Sequence, residues 1–291
     1  MGKAFLQLHL AVFLAGFTGI LGKLITLEQY PLVLWRLTIS VILLWSFYLL
    51  KRKLILLDFT LGLRSVGVGC IAALHWILFF GSIKYANVSV ALVCFSSVGF
   101  FTAFLEPLIN GKGWDLTDFV LGLLVIGGVA VIFHFDPRFQ KGILYGLGSS
   151  FLGALFPIYN RRLMQHMNAP TLVTWELTGG WLFLLLFIPL YAYFFPGIGW
   201  VPRGNDLLWV FILASFCTVW AFQLSSNALK KLSAFTVNMS YNLEPVYGIL
   251  LAFMVFGENR FLGTSFYAGM AIILIALGFQ TFRAIRLKQT A

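Results

Sequence analysis

Apolar residues run through this chain in blocks of about twenty, each closed by a short cluster of Lys, Arg, Asn, Gly or Pro. A helix of that length spans about 30 Å, the thickness of a bilayer's hydrocarbon core. Ten such spans are predicted, at residues 4–25, 31–50, 64–84, 86–109, 115–135, 142–164, 170–195, 206–229, 233–256 and 261–282. The runs are continuous rather than alternating, which separates them from the short strands of an outer-membrane barrel. The stretch 232–258 stands apart, because Asn238, Ser240, Tyr241, Asn242, Glu244 and Pro245 lie near its middle. On a helical wheel Asn238, Asn242 and Pro245 form one stripe, and Ser240, Tyr241, Glu244 and Gly248 form the next. Met239, Leu243, Val246, Leu250 and Phe253 fill the remaining arc. One face suits lipid; the other needs protein or water.

Composition agrees with this pattern. With 60% hydrophobic and 10% charged residues, the chain carries well under half the charge of a typical soluble domain. The net charge of +10 comes from short clusters between apolar runs and not from a basic patch with interleaved aromatics, so no nucleic-acid partner is implied. Counted for a cytoplasmic N-terminus, thirteen Lys and Arg residues fall on the inner side and six on the outer, with Arg36 inside span two. By the positive-inside rule both termini are then cytoplasmic. Cys70, Cys94 and Cys217 sit inside apolar runs without metal-ligand spacing, and no cofactor is implied. The first run continues into further spans and is read as a retained helix rather than a cleaved signal.

The chain also repeats itself. A shift of about 147 residues sets Cys70 on Cys217, Lys84 on Lys231, Val90 on Val237 and Gly122 on Gly269. A shift of about 140 sets Trp35-Arg36 on Trp175-Glu176. Five spans per copy is odd, so the second copy enters the membrane from the opposite side. The expected fold is an all-α polytopic membrane protein of ten transmembrane helices, built as two inverted five-helix repeats, residues 1–137 and 138–291.

These features resemble the drug/metabolite transporter superfamily in its EamA-like branch. The likeness rests on the two five-helix repeats, Arg36 early in span two, the mid-membrane Pro245 and the Gly257-Glu258 that ends span nine. In the first repeat Val98 stands opposite Pro245, and Asn110-Gly111 opposite Gly257-Glu258, so span four is expected to be the straighter of the two. The resemblance implies a multi-pass exporter or permease of the inner (plasma) membrane for small organic solutes, often amino acids or related metabolites.

Candidate chemistry starts at Glu244. An intramembrane carboxylate is costly and reads by default as functional; it could bind an ammonium group or exchange a proton, and it could equally fix packing. Pro245 should kink the helix, with Gly248 as a second hinge candidate. Solute-binding candidates are Trp220, Gln223 and Asn227 in span eight and His75, Trp76 and Phe79 in span three, together with Asn238, Tyr241, Asn242 and Glu244, a mixture of aromatic walls and orienting polar groups. The competing reading is that the polar groups tie helices together and the aromatics pack. Arg36 could gate or attract an anion, or equally anchor by snorkelling or pair with Glu28. Glu176 is expected to pair with Arg161 or Arg162, and Glu258 with Arg260 at a solvated rim. A secondary transporter working by alternating access, with protons as a candidate coupling ion, leads over a channel or a lipid-modifying enzyme using His75 as base. No phosphate loop or protease motif is present.

Overall fold

The computed structural model describes residues 2–51, 57–111, 113–135, 137–229, 231–232, 240–241 and 243–289. Every described element is helical. The helices are α1 (Gly2–Leu24), α2 (Gln29–Leu50), α3 (Phe59–Tyr85), α4 (Val88–Phe95), α5 (Val98–Asn110), α6 (Leu116–Phe135), α7 (Gln140–Leu163), α8 (Ala169–Phe194), α9 (Asp206–Ala214), α10 (Ala221–Leu229), α11 (Glu244–Phe256) and α12 (Thr264–Gln289). A six-residue π-helical segment, Ser215–Trp220, joins α9 to α10. Among the described residues seven stretches are long and apolar enough to cross a membrane, with α4 and α5 forming one of them. Three shorter apolar helices, Leu116–Ile132, Glu244–Phe256 and Thr264–Gln280, fall in the predicted spans five, nine and ten.

Local chemistry sets the boundaries. Asn87 caps α4 by accepting from the Val90 N–H at 2.8 Å, and Asn168 caps α8 through Thr171 N–H at 2.9 Å, each satisfying an orphan donor. Helices α5 and α11 both end on a left-handed glycine, Gly111 at φ 63° and Gly257 at φ 61°, where a side chain would be strained. Large apolar side chains such as Leu50, Leu186, Tyr193 and Met254 face outward. Such a coat is tolerated because lipid, not water, covers it.

Packing has an internal logic. Helix α3 lies against α7 and α8, while the segment from α9 to α10 lies against α1 and α2. Helices α4 and α5 lie against α7, and α11 against α1. Across the middle, α6 meets α12, α2 meets α8, and α4 meets α11. Exchanging the first five spans for the last five, in order, turns each of these contacts into another or into itself. Glycines make two of the approaches possible. A Cβ on Gly16 would sit 3.0 Å from the Glu244 carbonyl oxygen, and one on Gly269 only 2.4 Å from the Gly128 carbonyl oxygen.

The expectation that span four is the straighter is overturned. Its helix breaks at Ser96-Ser97, with Ser96 N–H bonding back to Leu92 and Val93 and Ser97 N–H to Cys94. The break needs no proline, because Ser150 of α7 takes the Cys94 carbonyl at 2.8 Å and Ser96 Oγ folds back on Leu92 at 3.2 Å. Hydroxyls compete with the backbone donors at these two carbonyls. In span nine Leu243 is a turn and the helix restarts at Glu244, with Pro245 in the first turn, where its missing N–H costs nothing. Helices α5 and α11 are each 13 residues long, and the same offset separates Val98 from Glu244 and Gly111 from Gly257. Both repeats therefore break their fourth span at one place.

Candidate functional site

Arg36 lies on α2, only 3% exposed. Its Nε donates to Thr218 Oγ1 at 2.9 Å, and Thr218 Oγ1 donates to the Leu213 carbonyl at 2.9 Å. That second bond runs five residues back, within the register of a π turn, so the widened segment presents Thr218 to Arg36. One turn along α2, Ser40 reaches the Ala214 carbonyl at 3.4 Å. The guanidinium lies over the Trp76 ring, 4.3 Å from its centroid, with Phe80 at 5.9 Å. Nη1 is buried and has no hydrogen-bond partner among the described residues. A cation held this way is desolvated, stacked and only partly bonded.

Glu244 opens α11 and is half-buried. It lies within electrostatic reach of Arg36, but among the described residues the two form no direct ion pair. Its place is fixed by the backbone, since Gly16 of α1 abuts its carbonyl oxygen and Gly248, one turn on, abuts Gly16 and Leu92. Gly248 is thus at the closest approach of α1 and α11. Pro245 is buried beside it.

His75 and Phe79 adjoin this centre and face the core. The His75 Nδ1 lies 2.8 Å from the Ser149 carbonyl and 2.9 Å from its hydroxyl, and that hydroxyl donates to the His75 carbonyl at 3.1 Å. Phe79, Phe95 and Phe156 ring the imidazole, the nearest with its centroid at 5.4 Å. Trp76 bridges the two groups, stacked under Arg36 and 6.3 Å from the His75 ring.

The span-eight candidates lie elsewhere. Trp220, 40% exposed, Gln223 and Asn227 share the accessible face of α10 and its approach, opposite Ala221, Leu224 and Ala228. Tyr241 is half-buried and packs with Leu232 and Tyr247 against Leu8, Val12 and Ala228. Asn238 and Asn242 lie outside the described residues.

Three expected pairings are corrected. Arg36 bonds Thr218 instead of Glu28, because it projects from the middle of α2 into the π segment. Glu176, 4% exposed, accepts from Asn160 at 3.0 Å. Arg161 instead reaches Glu106 at 3.1 Å, and Arg162 bonds Asn110 Oδ1 at 3.0 Å and the Ile109 carbonyl. Glu258 is no solvated rim group; it is 3% exposed, pairs with Lys23 at 2.7 Å, and accepts from Val88 N–H at 3.2 Å, Ser89 N–H at 2.9 Å and Ser89 Oγ at 2.6 Å. It binds the start of α4, a helix N-terminus.

Sequence reasoning missed Thr218, a threonine in an apolar run with nothing in its neighbours to mark it. It also missed the Asp206 cap, which accepts from Thr26 N–H at 2.8 Å and Thr26 Oγ1 at 2.6 Å.

The EamA-like transporter family model matches the sequence twice, over residues 2–134 and 140–281. Among curated proteins none matches. The fold is similar to that of a crystal structure with a TM-score of 0.63 at 17% identity, over 97% of this chain and 98% of the other. At that identity the likeness speaks for the fold.

Proposed function

The chain belongs to the EamA-like transporter family, and from that premise we propose a secondary carrier that exports small organic solutes, such as amino acids or related metabolites, across the inner (plasma) membrane. Family membership places it among drug/metabolite-type transporters. The finer reading has ten transmembrane helices in two inverted repeats, residues 1–137 and 138–291, with both termini cytoplasmic. The exchange of contacts between the two halves and the matched breaks in spans four and nine support it. So does the excess of Lys and Arg on the proposed inner side.

The observation that carries the proposal is the Arg36–Glu244 arrangement. Each charge comes from a different proposed repeat, both fall within proposed spans, and they lie in electrostatic reach without a direct ion pair among the described residues. Intramembrane charges held apart mark a ligand or ion pathway. The polar group of Gln223 on an accessible helix face supports a water-filled lining there rather than lipid. Solute then meets Arg36, Trp76 and Glu244 between the repeats, which rock about the breaks at Ser96-Ser97 and Leu243 to expose the site to each side in turn. Glu244 exchanges the coupling proton. His75, the base that a lipid-modifying enzyme would need, has its Nδ1 engaged by Ser149.

Reconstituted vesicles test this. Flux of a labelled amino-acid mixture should respond to an imposed pH gradient with the native chain, and Glu244→Gln should abolish that response while leaving exchange of solute for solute measurable. Identical pH-driven flux in the variant would remove Glu244 from the coupling step.

A further inference from the structure

Arg36 is unusual in what its environment leaves undone. A guanidinium offers five N–H donors in a planar fork. Here Nε is taken by Thr218 and one face by Trp76, whereas Nη1, closed off from solvent, donates to nothing among the described residues. A buried, half-bonded cation of this kind is expensive unless something completes it. Glu244 is the opposite charge in reach, and among the described residues it forms no ion pair with Arg36. What remains open among the described residues is the Nη1 amino group. Its N–H groups suit charge-assisted bonds to the oxygens of a carboxylate.

We propose that Arg36 is an anion subsite built for a single carboxylate, with Thr218 as the positioning residue that orients the fork, and that the solutes carried bear such a group on an apolar or aromatic body. The proposal rests on the reading of the chain as a carrier and names the chemistry of its cargo. Charge balance narrows the class. Arg36 and Glu244 cancel, so a bound monocarboxylate leaves one negative charge, which either a cationic group on the solute or a proton on Glu244 neutralises. A phosphate monoester dianion would leave two, in a place where charge is already costly. The ring of Trp76 under the guanidinium, with Phe80 beside it and Phe79 adjoining, suits a flat apolar body. Thr218 acts through Arg36. Without its hydroxyl, Nε loses its acceptor, the guanidinium can rotate about its stem, and the Nη1 amino group no longer faces the ligand.

The test uses the full chain in lipid nanodiscs and two pairs of probes that differ only at the carboxylate, L-phenylalanine with L-phenylalaninamide and 3-phenylpropionate with 3-phenylpropionamide. Binding is read by tryptophan fluorescence and by the shift in melting temperature. At least one acid should bind about tenfold or more tightly than its amide, as a charge-assisted bond predicts. Thr218→Val should erase most of that preference with amide binding unchanged, Thr218→Ser should restore it, and Arg36→Gln should abolish it. A purely structural Thr218 would weaken acid and amide alike and would not be rescued by serine. Equal binding of acid and amide, no binding of either acid, or a preference that survives both Thr218→Val and Arg36→Gln overturns the proposal. Flux in vesicles separates this from the broader reading: neutral solutes carried while carboxylates are not would sink the subsite and leave the carrier standing, whereas no flux of any solute would sink the carrier.

Discussion

The two ends of the helical bundle are fastened by equivalent parts in unequal surroundings. Lys23 closes α1 and reaches Glu258, just past α11; Arg162 closes α7 and reaches Asn110 and Ile109, at the end of α5. These are corresponding places in the two repeats. At the Lys23 end the carboxylate is 3% exposed and receives an ammonium, two backbone N–H groups and a hydroxyl. Asp206, equally buried, ties the α1–α2 turn to the start of α9 through Thr26. At the Arg161 end the pairs are open to solvent, with the Arg161 side chain 68% exposed and Glu106 27%. An ion pair in water is worth little because solvent competes for both partners, whereas a fully bonded buried one is costly to break. The same closure therefore makes a lock at one end and a latch at the other. A carrier that opened to both sides would have to undo the lock in one half-cycle and only the latch in the other.

The largest effect should come from undoing the lock. Glu258→Ala leaves the Lys23 ammonium over Phe256, 4.4 Å from its centroid, and strips the first N–H groups of α4 of their acceptor. Losing one partner of a buried, hydrogen-bonded pair costs about 3–5 kcal/mol. The melting temperature should fall steeply, and a cysteine introduced by Ser89→Cys beside the variant should become reactive to an impermeant maleimide. Glu258→Gln, which keeps an acceptor and loses the charge, should fall between. Native melting and an unreactive cysteine in Glu258→Ala would erase the distinction between the ends.

How much of this was legible beforehand follows from what each feature depends on. The seven long apolar stretches were legible because run length against bilayer thickness is a local property, whereas the caps at Asn87 and Asn168 were not singled out. Arg36 and Glu244 stood out because charge at membrane depth is costly wherever it occurs. That they lie within electrostatic reach of each other was not legible, since it depends on how α2 and α11 sit across the centre. Glu258 looked like a rim group because its partners at Val88 and Ser89 lie about 170 positions earlier. The break at Ser96-Ser97 was hidden because serine ends a helix only when another helix supplies the competing bond, here Ser150. Proline and intramembrane charge announce themselves; a hydroxyl acts only through its neighbours.

A smaller effect belongs to the latch. Glu106→Gln removes the partner of Arg161 at an exposed site, where a pair is worth at most about 1 kcal/mol and is screened by salt. Melting should shift by no more than a few degrees at low ionic strength, and the shift should disappear at high salt. A loss as large as that of Glu258→Ala would mean that the two ends are equal locks.

The smallest effect tests whether the Arg161 end answers to acid. Arg283, near the end of α12, donates to Asp115 at 2.7 Å and to Asp118 at 2.8 Å at the start of α6. The Asp115 carboxyl is held below its usual range first by the Arg283 hydrogen bond, helped by the backbone N–H groups of Asp118 and Thr117. A depressed carboxylate adds stability that is present above the unfolded value, near 3.9, and is lost as pH falls through the lower folded value. The difference in melting temperature between the native chain and Asp115→Asn should therefore be small and constant from neutral pH down to about 5 and vanish in stronger acid. Because this carboxyl is largely solvated, the whole effect should stay well below that of Glu258→Ala at every pH. A difference that grew on acidification would show that Arg283 is not what holds Asp115, and the latch at this end would have to be sought in the Arg162 contacts with Asn110 and Ile109 instead.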